Sequence, residues 1–422
     1  SSETVVSGNW GTADGEFGRG GGSDGRLRGP QAFAVDKAGN VIVADTLNYR
    51  VKVFDPKGRL GWVFPVPGTG ADARSYDERA ALWGILSPCL SWSAGFRPYP
   101  ELAGPAHPTV TQVTAAAGAG APSLPYVTDI EVSGPGFRWP PGGTPSEPVS
   151  GPDIHLLAGW EGVVITVGPD GALRWSRIFA GPAAPEPAPG PSGIQDSSDE
   201  VAGVLLDMDA LPGGGVVVTG YSLLHDRLVH FVRALQRPED EPRDLASYEL
   251  LRDGSTRVSR DLPVALEVES VAVGHDGNLY VVAAAPPPAG EQAHGPSPFI
   301  RELWVYASDG RGRGKLALDC ETYTRHLRII AVDRAGLIYV RHGGAEMPAL
   351  VSVFGGDGHR AVTVRLPDDA EIADVHGGRE REFYVSVATD ESYQVVRYTL
   401  RGRWRLTARW ASPGSEVDTQ GP

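Results

Sequence analysis

The chain has 422 residues, of which 55 are Gly and 36 are Pro, a share of turn formers that argues against a helical bundle. With 21% charged and 41% hydrophobic residues it is too apolar for a disordered chain and long enough to bury a sizeable core. Its net charge of −14 disfavours nucleic acid and anionic membranes as partners.

In chain order, residues 1–29 read as an N-terminal latch or link. The sequence starts Ser1-Ser2 without Met, which fits a processed protein that is secreted or held at the cell surface. No apolar run is long enough for a transmembrane helix. Residues 30–66 hold the clearest unit: Ala34-Val35-Asp36, a turn at Gly39-Asn40, Val41 to Asp45, Val51 to Asp55, Gly58, then Leu60 to Val66. Short runs of β-branched and aromatic residues between Gly, Asn and Asp turns make this a four-stranded antiparallel meander.

An insertion follows over 67–125, with a short helix expected at Ser75 to Leu86. The meander then recurs five times, over 126–179, 201–252, 267–320, 327–366 and 371–411. None of these units can bury both of its faces alone, so the prediction is an all-β, six-bladed β-propeller of four-stranded antiparallel blades forming one domain. Thr4-Val5-Val6 with Trp10 can add a strand to the last blade and close the ring, in competition with Trp404 to Trp410. The short turns share one face, and most long insertions share the other. A Pro-rich insertion between the first two strands of blade two, from Pro135 to Pro148, falls on the short-turn face.

The first unit, with Gly15-Glu16-Phe17-Gly18, Pro30, Ala34-Val35-Asp36, Gly39-Asn40, Val43-Ala44-Asp45, Asn48, Arg50, Val53-Phe54-Asp55 and Gly58, resembles the NHL repeat, a unit of six-bladed propellers. Tyr49 stands where that family often has His. Asp45, Asn48 and Arg50 suit mutual hydrogen bonding at the turn between the second and third strands, so a structural role is expected for them.

Candidate contact residues on the loop-rich face are Trp160, Glu161, Tyr221, His225, His342 and Tyr393, the tyrosines as aromatic surface. Cys89 and Cys320 are assigned to the same face. A disulfide between them would close a long loop and add about 4–5 kcal/mol in the chain-entropy view. There is no HExxH, EF-hand loop or GxSxG motif, so no catalytic residue is assigned and no cofactor is expected.

The leading expectation is a non-enzymatic propeller that binds a protein or surface polymer, or serves in an extracellular assembly, with self-association as a further option. The NHL resemblance also implies an alternative, a metal-dependent lyase or a lactonase-like enzyme with Ca or Zn at the channel mouth.

Overall fold

The computed structural model describes residues 1–21, 27–30, 32–48, 50–65, 127, 129–137, 151–158, 163–169, 173–178, 202–224, 227–237, 240, 242–251, 256–259, 267–285, 300–318, 327–344, 347–367 and 371–401. The Ser75 to Leu86 helix and Trp404 to Trp410 lie outside these residues. Among the described residues there is no α-helix, only a 3-10 turn at Thr46–Asn48.

Each blade is an antiparallel sheet, and in blades one to five the strands follow chain order from the inner to the outer edge. Blade one is Phe33–Val35, Val41–Asp45, Arg50–Phe54 and Leu60–Pro65. Blade two is Asp129–Ser133, Asp153–Ala158, Val163–Val167 and Leu173–Arg177. Blade three is Ala202–Ala210, Val216–Leu224, Arg227–Leu235 and Arg243–Leu251, with an unexpected fifth strand, Thr256–Ser259, on its outer edge. Blade four is Glu267–Val273, Leu279–Ala285, Ile300–Tyr306 and Gly312–Leu316. Blade five is Leu327–Val332, Ile338–Gly344, Met347–Phe354 and Arg360–Arg365.

Among the described residues blade six has three consecutive strands, Glu371–Gly377, Glu382–Ala388 and Ser392–Thr399. Its fourth is the N-terminal strand Ser2–Asn9, which pairs antiparallel with Ser392–Thr399 and closes the ring with the other end of the chain. Inner strands of neighbouring blades touch all the way round. Apolar side chains pack between blades. Ile42, Val53 and Trp62 of blade one meet Ile130, Leu156 and Ile165 of blade two, while Tyr339 and Val351 of blade five meet Val375 and Phe383 of blade six.

The recurring turn has a physical basis. In Asp36, Asp55 and Asp333 one carboxylate oxygen accepts the backbone N–H groups two and four residues on, at 2.8–3.0 Å. Gly39, Gly58 and Gly336 follow at φ of 86°, 77° and 76°, where an L side chain is strained. These turns hold one face short. The strand ends that flank the long connections 66–128, 179–201, 286–299 and 317–326 lie at the other face, whereas those that flank 134–152 in blade two lie at the short-turn face.

Candidate functional site: the channel carboxylates and Arg328

Of the residues singled out from sequence, three are buried in the blades. Tyr393 is fully buried and its ring packs 4.7 Å from Phe17 of the N-terminal segment; burial pushes its phenol far above the usual range. Tyr221 is buried with its ring 5.8 Å from His230 on the neighbouring strand. Neither is aromatic surface, because both blade faces are covered by other parts of the molecule and nearness to a loop does not expose a side chain. His342 is also buried, with Nε2 2.7 Å from the Ser352 hydroxyl, which lies 2.7 Å from that of Thr363. Trp160, Glu161, His225, Cys89 and Cys320 lie outside the described residues.

Asp45, Asn48 and Arg50 form a latch. Asp45 accepts Gly18 N at 2.7 Å, Asn48 Nδ2 at 3.0 Å and Arg50 Nε at 2.8 Å. The Arg50 guanidinium also donates to the carbonyls of Thr12, Ala13 and Glu16 at 2.7–3.0 Å. Lys52, fully buried, lies 3.4 Å from Asp45 and 4.3 Å from the centre of the Phe17 ring, and donates to Glu16 O. Burial lowers its pKa against the pull of Asp45. A Cβ on Gly18 would come within 2.7 Å of the Leu47 side chain, so only glycine fits where the segment crosses the blade. The triplet therefore fastens residues 11–18 over blade one.

A second cluster lies in the central channel. Four inner strands carry a β-bulge, at 205–207, 268–270, 329–331 and 372–374. Bulges re-aim side chains, and those of blades three, four and six accompany polar groups that reach the next blade. Asp129 of blade two accepts Met208 N at 3.1 Å, Asp207 of blade three accepts Val271 N at 2.8 Å, and the Ser270 hydroxyl of blade four accepts Ile329 N at 3.1 Å. Asp374 of blade six accepts Phe33 N of blade one at 3.4 Å.

Arg328 of blade five then spans the channel. Its Nη2 donates to Asp207 at 2.6 Å and to Asp129 at 3.0 Å, and its Nη1 to Asp374 at 3.2 Å. Two residues further along the same strands, and so on the same side of each, lie Asp209, Glu131 and His376. Asp209 accepts Val273 N at 2.5 Å, and Glu131 lies 3.2 Å from His376 Nε2. A sequence signal for this cluster existed and was missed: Asp129-Ile130-Glu131, Asp207-Met208-Asp209 and Asp374-Val375-His376 repeat polar-apolar-polar in inner strands.

A family model for the NHL repeat matches residues 27–54, which take in the first three strands of blade one. The chain is a six-bladed propeller with an NHL repeat. No curated protein matches it by sequence. Among solved structures it is similar to a streptogramin B lyase, with 12% identity, 87% of this chain and 92% of that chain covered and a TM-score of 0.39. It is also similar to virginiamycin B lyase from Staphylococcus aureus, with 9% identity, 88% and 95% covered and a TM-score of 0.39. A luciferin-regenerating enzyme matches with 12% identity, 88% and 92% covered and a TM-score of 0.38.

The electrostatics of the propeller's channel follow from burial. Asp129 is raised well above the usual carboxylate range by burial, with Arg328 opposing, and Asp374 is raised for the same reason. Asp209 is raised well above it by burial and by Glu131. Burial alone would lower Arg328, but Asp207, Asp129 and Asp374 outweigh it and hold the guanidinium well above its ordinary value. Burial is likewise overcome at His376, where Glu131 and Asp374 lift the imidazole to about 9, so it is a cation at neutral pH. The void lined by these side chains has room for about one water.

Asp129, Asp207 and Asp374 are the converging carboxylates that a Ca or Zn ion would require. They do not fit one, because the Arg328 guanidinium stands between them and is hydrogen-bonded to all three. Among the described residues no group of three His, Cys, Asp or Glu is arranged to hold a metal ion.

Proposed function

We propose that this propeller is a binding or scaffold subunit of an extracellular assembly, engaging a protein or surface polymer through its loop-bearing face. One observation carries the reading: short Asp-Gly turns keep one face low, while the strand ends that flank 66–128, 179–201, 286–299 and 317–326 lie at the other. Large connections of this kind on a rigid scaffold are where binding residues collect. The channel favours the same reading, since its carboxylates are engaged by Arg328 and its void is too small for a substrate.

Cross-linking mass spectrometry in extract of the native source, with intact protein and a variant in which 67–125 is replaced by a short Gly-Ser linker, tests the proposal. Partner cross-links confined to 66–128, 179–201, 286–299 and 317–326, and reduced in the variant, are expected. Cross-links on the short-turn face, or a strict monomer with no partner, would contradict it.

A further inference from the structure

Arg341 is the residue opposite Arg328 in the pairing of blade five's first two strands, so the two side chains leave neighbouring positions on one face of that blade. That face is turned to blade six: Tyr339, two residues before Arg341, packs with Val375 and Phe383, and Asp374 is within electrostatic range of both arginines. The two arginines are treated differently. Arg328 has three carboxylates, while Arg341, half-buried, makes no hydrogen bond among the described residues and feels Asp374 and Arg328 only through space.

Among the described residues the seam at which Arg341 sits has no staple from the bulge of its inner strand; its staple lies in the turn beyond, where Asp333 of blade five accepts Arg381 N of blade six at 3.2 Å. Blades two, three, four and six each send Asp129, Asp207, Ser270 or Asp374 to a backbone N–H of the next blade, whereas the bulge of blade five carries Ile330 and Ala331. Arg341 lies toward the loop-bearing end of its strand, and the connection beside it, between Gly344 and Met347, is short. A half-buried guanidinium loses hydration that only a bonded acceptor restores, and an anion supplies one.

We propose that Arg341 is the anchor of a carboxylate-binding site at the seam between blades five and six. One free guanidinium fork matches one planar, singly charged carboxylate. The acidity of the chain, with Asp374 in range, disfavours a dianionic phosphate. The site does not depend on how the loop-bearing face is used.

Isothermal titration at matched ionic strength, with acetate and separately with poly-L-glutamate, tests it on the full chain and on Arg341→Met and Arg341→Lys. The expected result is saturable binding of at least one probe, weakened at least about tenfold in Arg341→Met and less in Arg341→Lys, which keeps the charge without the fork. Binding of acetate identifies a small carboxylate as sufficient, and binding of poly-L-glutamate alone identifies acidic side chains of a partner. No saturable binding of either probe, or equal binding by wild type and Arg341→Met, would overturn the proposal.

Discussion

The latch draws Asp45, Asn48, Arg50 and Lys52 from one short stretch of blade one, whereas the channel cluster takes Asp129, Asp207, Arg328 and Asp374 from four blades. Both join buried charges, but they restrain different things. The latch fastens one loop to one blade, so its loss is local. The channel cluster ties blades two, three, five and six across the axis, so its loss bears on the whole ring. A buried ion group adds little over an apolar filling of the same shape, but removing one member leaves uncompensated charge, and the size of that penalty follows the number of partners stranded.

The largest effect is therefore expected for Arg328→Met, which strands three buried carboxylates and should cost about 3–5 kcal/mol in urea unfolding. If the ring is tied as described, the loss appears as a lower midpoint of the whole transition. A loss confined to blade five by hydrogen exchange would break the contrast. Asp45→Asn should cost about 3 kcal/mol by stranding Arg50 and Lys52. Hydrogen exchange should then speed up in residues 10–18 while the strands of blades two to five keep their protection.

His376 sharpens the comparison through pH. Its folded pKa of about 9 lies above the ordinary 6.5, so its contribution is fully present below pH 6.5 and is lost as pH rises through 9. Wild type should exceed His376→Gln by about 3 kcal/mol below pH 6.5, with the gap closing toward pH 9 in paired denaturation series. His155 and His230 inside the blades carry the opposite sign, because burial lowers both to about 4; their neutral forms stabilise above pH 6.5, and that stability is lost as pH falls toward 4. The smallest effect is expected at the ring closure, where Glu3 and Arg397 pair on the surface. Glu3→Gln should change stability by less than about 1 kcal/mol and lose even that in high salt.

The fold was legible because each blade repeats a local code. Asp-x-x-Gly turns and alternating Val and Ile runs are set by nearest-neighbour physics, and Asp45, Asn48 and Arg50 interact within the spacing at which they are written. The N-terminal strand was legible as a candidate, but its competition with Trp404 to Trp410 turned on pairing between chain ends, which no local pattern decides. The channel cluster was read past because its members are scattered along the chain and each alone resembles an ordinary turn acid. The signal lay in the combination of an inner strand that must be buried and an acid at alternate positions, as at Asp207 and Asp209. Tyr393 and His342 misled for the converse reason, since closeness to a loop in sequence says nothing of which side of a covered strand the side chain takes.

The most direct test of the central claim, that Arg328 occupies the place of a cation among the channel carboxylates, is metal analysis. Wild-type protein equilibrated with Ca and Zn salts and then desalted should retain neither at stoichiometry and should unfold at the same temperature with or without chelator. One tightly held ion per chain, with a midpoint that falls on chelation, would contradict it.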